Sequence, residues 1–195
     1  MKLFLDSSTN YLYLALYSDK EIAHYVRNGK NDHSETLIDA LDVFLKNNDL
    51  TVDELDSVYV GRGPGSYTGV RISGTIAKVL ALIKNKPLYS FSTLDLLLAS
   101  KINEDGDYVA KIVAKKNHSY YKVASICDKK IIFKTEDLFK ADDEIIEFSE
   151  NKLIEVNDDV FNKRGLTEII IDNKLFQEED IYTYVPNYLR AEING

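Results

Sequence analysis

The sequence predicts an α/β protein with helices packed on a mixed sheet, and three observations carry that prediction. Strand-like and helix-like apolar patterns follow one another along residues 2–101 in the order β-β-β-α-β-α-β-α. A dense glycine turn, residues 61–69, joins one of those strands to a long apolar helix. Beyond residue 107 the pattern restarts with strands and little helical signal.

Taken in order, Lys2–Leu5 reads as a short buried strand that stops at the polar turn Asp6-Ser7-Ser8-Thr9-Asn10. Tyr11–Tyr17 alternates aromatic and aliphatic residues, as a strand covered on both faces would. Asp19-Lys20 turns the chain into Glu21–Val26, completing a three-strand meander. Asn31-Asp32 offers an N-cap for a helix whose apolar face is Leu37, Ile38, Leu41, Phe44 and Leu45, and Asn47-Asn48 ends it. Strand Ser57–Val60, the glycine turn, helix Val70–Ile83, strand Leu88–Phe91 and helix Thr93–Lys101 follow. The polar stretch Asn103–Asp107 marks a boundary, dividing residues 1–102 from a smaller unit, 103–195. There, Tyr108–Ala114, Tyr120–Ile126 and Lys130–Phe133 read as strands, and so do Leu153–Val156 and Glu168–Ile171. Pro186 makes the segment Tyr184–Arg190 extended.

Composition narrows the function classes. An apolar fraction of 45% and a charged fraction of 29% are those of a soluble globular chain, and no apolar run is long enough to span a bilayer. Met1–Leu5 meets Asp6 at once, which is no signal peptide, so a cytoplasmic protein is expected. The single cysteine, Cys127, excludes an internal disulfide and reads as a small buried hydrophobe rather than a nucleophile. A net charge of −8 argues against unaided RNA or DNA binding, because such affinity rests on cations neutralising phosphates. Lys115-Lys116 and Lys129-Lys130 read as solvated strand edges.

The segment Gly61-Arg62-Gly63-Pro64-Gly65-Ser66-Tyr67-Thr68-Gly69 holds four of the nine glycines. It lacks the Gly-Lys-Ser/Thr ending of a Walker loop, and no acidic residue ends the following strand as dinucleotide binding requires. Two readings stay open: an anion site at a helix N-terminus, or a tight strand-to-helix turn capped by Ser66 or Thr68. The helix that follows carries no charge between Arg71 and Lys78, and Ser73, Ala77 and Ala81 recur four apart. Such small residues admit a second helix at close range, either a partner's or the chain's own first helix.

Recognisable catalytic chemistry is sparse. His24, His33 and His118 have no metal spacing, and His33 reads as a capping or surface residue. Ser66 is not set in Gly-x-Ser-x-Gly, and His118 lacks an orienting acid. Asp6, at the end of the first strand, is the residue best placed for a nucleotide-metal role, with a turn cap as the alternative.

Gly61–Ile72 resembles the signature of the TsaB (YeaZ) family. Leu5-Asp6-Ser7-Ser8-Thr9, Asp32-His33-Ser34-Glu35-Thr36-Leu37, Phe91-Ser92-Thr93-Leu94 and Pro186-Asn187-Tyr188-Leu189-Arg190 are similar to further segments of that family. The resemblance implies an actin-like ATPase (ribonuclease H-like) fold of two lobes with mixed sheets, the second lobe here reduced. It implies a non-catalytic, cytoplasmic subunit for N6-threonylcarbamoyladenosine formation at position 37 of tRNAs reading codons that begin with adenine. Its implied partners are the catalytic paralogue TsaD, in a heterodimer, and TsaE, in a ternary complex. A homodimer forms when it is alone, tRNA contact is left to the partner, and no metal, cofactor or catalytic residue is implied. The matching interface helices are Ser34–Lys46 and Thr68–Ile83, with Leu37, Ile38, Leu41, Phe44, Leu45, Val70, Ser73, Gly74, Ala77, Leu80 and Ala81 as interface residues. Gly61, Gly63, Pro64, Gly65, Ser66, Thr68, Gly69 and Arg71 form the structural loop. The alternative is an independent actin-like ATPase or small-molecule phosphotransferase using Asp6 and the Gly63–Thr68 loop.

Overall fold

The computed structural model describes residues 1–29, 33–148 and 150–188. The expected cap at Asn31-Asp32 and the end of the tail, Leu189-Arg190, lie outside the described residues. The opening meander forms as read: β1 (Lys2–Asp6), β2 (Tyr11–Tyr17) and β3 (Glu21–Asn28) pair antiparallel in sequence order. The alternation along β2 decides the layering. Leu12, Leu14 and Leu16 enter one core with Leu3 and Leu5, while Tyr11, Tyr13, Ala15 and Tyr17 enter another with Phe4.

The first of those cores is closed by α1 (His33–Lys46) and α2 (Tyr67–Lys84), whose Leu37, Leu41, Phe44, Leu45, Ala77 and Ala81 are buried against the sheet. Strand β4 (Ser57–Gly61) pairs parallel with β1, and β5 (Leu88–Phe91) pairs parallel with β4. Helix α3 (Thr93–Ala99) lies on the opposite face of the sheet, buried along its whole length. Residues 100–102 continue it as a tightening turn.

A second sheet covers α3. Its strands are β6 (Gly106–Lys115), β7 (His118–Cys127), β8 (Lys130–Phe133), β9 (Leu138–Ala141) and β10 (Lys152–Glu155). β10 pairs parallel with β6, while β6, β8 and β9 all pair antiparallel with β7. A 3-10 helix, Asp142–Phe148, follows β9, and the short α4 (Asp158–Phe161) follows β10. The chain then returns. Strand β11 (Gln177–Glu179) pairs with β5, so the first sheet is ordered β11-β5-β4-β1-β2-β3.

Two expectations fail. Glu168–Ile171 is not a strand but part of helix α5 (Leu166–Asp172). Its β-branched run favours a strand locally, yet burial of Leu166, Thr167 and Ile170 beneath the first sheet and a cap from elsewhere override that preference. Gly165, the N-cap, has no side chain, and Glu21 on β3 supplies the acceptor: Gly165 N donates to Glu21 Oε1 at 3.0 Å. Thr167 donates to Oε2 from N at 3.4 Å and from Oγ1 at 3.0 Å. Glu168 Oε1 in turn accepts from Glu21 N at 3.0 Å, giving a reciprocal cap closed across the fold. Cys127, expected to be buried, is exposed. It ends β7 at the hairpin into β8, beyond the last stretch that the sheet covers.

Candidate functional site

The glycine segment shows what its small residues are for. A Cβ at Gly65 would stand 2.0 Å from the Ser8 carbonyl oxygen, and one at Gly69 would stand 1.9 Å from that of Ser7. The loop is therefore pressed onto the turn between β1 and β2. Ser66 N donates to Ser8 O at 2.6 Å, and Ser7 Oγ donates to Gly69 O at 2.8 Å. Ser66 is the N-cap of α2, its Oγ accepting from Gly69 N at 3.3 Å, whereas Thr68 lies exposed in the first turn. Arg71 donates to Tyr67 Oη at 2.8 Å and lies over that ring, and the Tyr188 ring packs against Tyr67 with centroids 5.4 Å apart.

Asp6 is drawn inward. Its carboxylate, 1% exposed, accepts from Ser8 N at 2.7 Å and from Thr93 Oγ1 at 2.8 Å. Gly61 leaves room for it, since a Cβ there would lie 2.2 Å from the Asp6 carboxyl carbon. Beside the loop a cleft of about 690 Å³ separates the sheets, lined by Ser8–Asn10, Gly65–Thr68, Lys111–Ala114, Glu155 and Val156. The Lys111 ammonium there sits between Asp142 at 3.7 Å and Glu155 at 3.6 Å. Ser8 Oγ is buried without a hydrogen-bond partner. A nucleotide bound in the manner of actin-like ATPases needs open turn amides and a carboxylate turned to its cation. These residues do not fit that demand: the carboxylate faces the turn and α3, and the turn is covered by the glycine loop.

The histidines take structural places. His24 Nδ1 lies 2.9 Å from Glu21 Oε1, and His118 stacks on Phe139; the side chain of His33 lies outside the described residues.

The expected small-residue stripe of α2 points inward. Ser73, Ala77 and Ala81 are fully buried, because they let the helix settle closely on its own sheet. Gly74 is also covered, with Tyr184 and Pro186 lying across it. Val70, Leu37, Leu41, Phe44 and Leu45 are likewise core residues, and Leu80 is half-buried. What the two helices turn outward is different: Ile38 (65% exposed) and Val43 on α1, and Val79, Leu82 and Ile83 (69% exposed) on α2. On α2 the half-buried Ile72, Ile76 and Leu80 lie at helical spacing with Val79 and Ile83, giving that helix an apolar outer side, whereas Ile38 and Val43 lie on different faces of α1. Periodicity gave both helices apolar faces, but it could not tell which side the sheet would claim.

Buried charge was not legible in the sequence. Lys122 of β7, 3% exposed, lies between Asp95 of α3 at 2.6 Å and Asp137 of the β8–β9 loop at 3.2 Å. Ser92 Oγ and Asn187 Nδ2 donate to the same Asp137 carboxylate. Burial pushes the Asp95 carboxyl up to about 6, against the pull of Lys122.

Two mixed sheets enclosing a buried helix, with further helices on the outer face, define an α/β protein of the actin-like ATPase fold. Two solved structures from Pseudomonas aeruginosa share it throughout. One is described as an uncharacterised protein with similarity to peptidase YeaZ (TM-score 0.77, 18% identity, covering 97% of this chain and 99% of that one). The other is YeaZ (TM-score 0.75, 18% identity, 96% and 99% covered). Residues 22–155 match the family model described as TsaD: tRNA N6-adenosine threonylcarbamoyltransferase. Curated relatives carry the name tRNA threonylcarbamoyladenosine biosynthesis protein TsaB. That of Bacillus subtilis is 38% identical over 105 residues (53% of this chain, 46% of the relative) and that of Haemophilus influenzae 32% over 121 (61% and 51%). The Escherichia coli protein is 27% identical over 121 residues (61% and 52%). The chain belongs to this threonylcarbamoyladenosine family, in its TsaB (YeaZ) group. It spans about half the length of the curated relatives it matches.

Proposed function

We propose that this chain is a non-catalytic subunit in the synthesis of N6-threonylcarbamoyladenosine on tRNA, and that it acts by pairing with the catalytic paralogue TsaD. The observation that carries the reading is the set of exposed aliphatic residues on α1 and α2, above all Val79, Leu82 and Ile83 on one side of α2. Exposed aliphatic residues gathered on two adjacent helices cost solvation free energy until another surface covers them. A helical pair from TsaD supplies that cover by forming a four-helix packing, and a second copy of this chain is the substitute when TsaD is absent. TsaE joins the assembled pair. Contact with tRNA falls to the partner, in keeping with a net charge of −8 here. The division into residues 1–102 and 103–195 is part of the same proposal, the first unit carrying the pairing helices. Among the described residues, no helix is long and apolar enough to cross a membrane.

The test is co-elution with purified TsaD and formation of the modified nucleoside in the presence of TsaE. Ala77 is unsuitable as a probe, because a charge there enters the core. Val79→Glu and Ile83→Glu change exposed positions and are expected to prevent co-elution while leaving thermal unfolding within about 1 kcal/mol of the parent. Unchanged assembly by both variants would overturn the assignment of this face. A second reading, an independent phosphotransferase, lacks support in the geometry of Asp6 and the Gly63–Thr68 loop; turnover of Mg-ATP by the isolated chain would restore it.

A further inference from the structure

We propose that the Asp95–Lys122–Asp137 cluster is a proton-sensitive latch, which fastens the C-terminal segment 184–188 and the glycine loop to the second sheet. Four separate pieces of chain meet there. Asp95 and Ser92 come from the start of α3, Lys122 from β7, Asp137 from the β8–β9 loop and Asn187 from the C-terminal segment. Asn187 also donates its backbone N–H to Arg62 O at 2.8 Å, and Thr93 N donates to Gly63 O at 2.9 Å. Whatever holds Asp137 and α3 therefore also holds both ends of the Arg62-Gly63 turn that leads into α2.

The cluster is unbalanced as built. One ammonium is shared by two carboxylates, all three being almost fully buried, and the Phe133 ring closes the other side of Lys122 at 4.0 Å. Arg62 is the next charged group acting on Asp95, with its Nε buried and unpartnered. From β6, β10 and α5, which also enclose α3, the core contributes apolar side chains such as Ala110, Ile154 and Ile170. Two anions with one direct cation repel each other in a medium of low polarity, so a proton on one of them removes a strain from the junction. Asp95 is the acceptor of that proton, because Asp137 keeps the donors Ser92 and Asn187 and Asp95 does not. Its carboxyl stands at about 6 when folded, above the ordinary 3.8. A raised carboxyl contributes stability that is fully present below the unfolded value and lost as pH rises through the folded one. The latch is accordingly tight near pH 5 and looser above pH 7.

Hydrogen exchange followed by mass spectrometry on the full chain tests this, comparing a peptide spanning 180–188 with one spanning 11–17 in the centre of the first sheet. In the parent, protection of 180–188 relative to 11–17, corrected for intrinsic rates, is expected to rise about tenfold from pH 7.5 to pH 5, since a carboxyl at about 6 in the closed latch and at the ordinary 3.8 in the open one is protonated at pH 5 almost only when closed. Asp95→Asn imitates the protonated form. It is expected to protect 180–188 at least tenfold more than the parent at pH 7.5, an excess that shrinks about tenfold at pH 5. A flat parent profile overturns the latch, as do a variant ratio independent of pH, faster exchange in Asp95→Asn at pH 7.5, or equal changes in both peptides. The parent profile decides the matter alone if Asp95→Asn fails to fold.

Discussion

Glutamate 21 offers the sharpest test of how the second half of the chain is fixed to the first. Its side chain is 5% exposed, and its carboxylate is the only side-chain acceptor seen at the N-terminus of α5 among the described residues. Replacement by alanine removes the bonds from Gly165 N, Thr167 N and Thr167 Oγ1 and strands those donors in a covered position. A hydrogen bond to a charged group contributes about 1.5–3 kcal/mol, and a buried donor left unpaired costs about 1–3 kcal/mol. Three bonds to one carboxylate are not additive, so the expected loss for Glu21→Ala is about 3–4 kcal/mol rather than the sum. Glu21→Gln keeps an acceptor oxygen but loses the charge that the helix terminus favours, and is expected to lose about 1–2 kcal/mol. At about 2–4 °C per kcal/mol for a chain of this size, the alanine variant should melt about 6–16 °C lower. Urea unfolding followed by circular dichroism measures both. A loss below about 1 kcal/mol for alanine, or equal losses for both variants, would refute the capping argument. Combining Glu21→Ala with Glu168→Ala adds a coupling check: the Glu168 carboxylate accepts from the main-chain N–H of residue 21, which alanine keeps, so overlap of the two losses measures how far the Glu21 side chain holds α5 in place for that bond.

Other outcomes follow from single contacts. Gly65→Ala places a methyl group 2.0 Å from a backbone oxygen that has no room to yield, and should cost about 4 kcal/mol or prevent folding, read by thermal melting. Gly165→Ala has a positive φ of 80° but open space around it, its nearest neighbour being Glu168 at 3.7 Å, so only the backbone cost of about 1–2 kcal/mol applies. Cys127 should react with a maleimide in the folded protein within severalfold of its rate in denaturant, and protection by orders of magnitude would contradict its exposure.

Legibility tracked the source of each signal. The alternation in Tyr11–Tyr17 announced a strand covered on both sides, and each half of it does enter a different core. Helix α1 was nearly as plain: Leu37, Leu41, Phe44 and Leu45 of its expected apolar face meet the sheet, and Ile38 alone of that face is turned outward. In α2 both faces are apolar, so periodicity had no contrast by which to choose. Volume chose instead: Ser73, Ala77 and Ala81 let the backbone approach the sheet, and the larger Val79 and Ile83 were left outside. Helix α5 was missed because its cap lies more than 140 residues away, at Glu21. The lysine–aspartate cluster was missed for the same reason, since Asp95, Lys122 and Asp137 share no local pattern.

The glycine loop explains why a segment shaped like a phosphate cradle can sit in a chain that offers nucleotide so little. Its backbone is a junction. Arg62 N reaches Phe91 O, Gly63 O receives Thr93 N, Ser66 N reaches Ser8 O, and Arg62 O receives Asn187 N. The bonds go to three parts of the fold, the β5–α3 junction, the β1–β2 turn and the segment around Asn187, and together they set where α2 starts and how it lies on the sheet. The outward residues of α2 inherit their positions from that start. Loop substitutions such as Gly65→Ala should therefore lower stability and the proposed TsaD pairing together, whereas Ile83→Glu should lower that pairing alone. If Gly65→Ala folded normally and still failed to pair, the loop itself would be a contact surface. Its close packing on Ser7 and Ser8, which turns Gly65 and Gly69 away from any partner, argues against that.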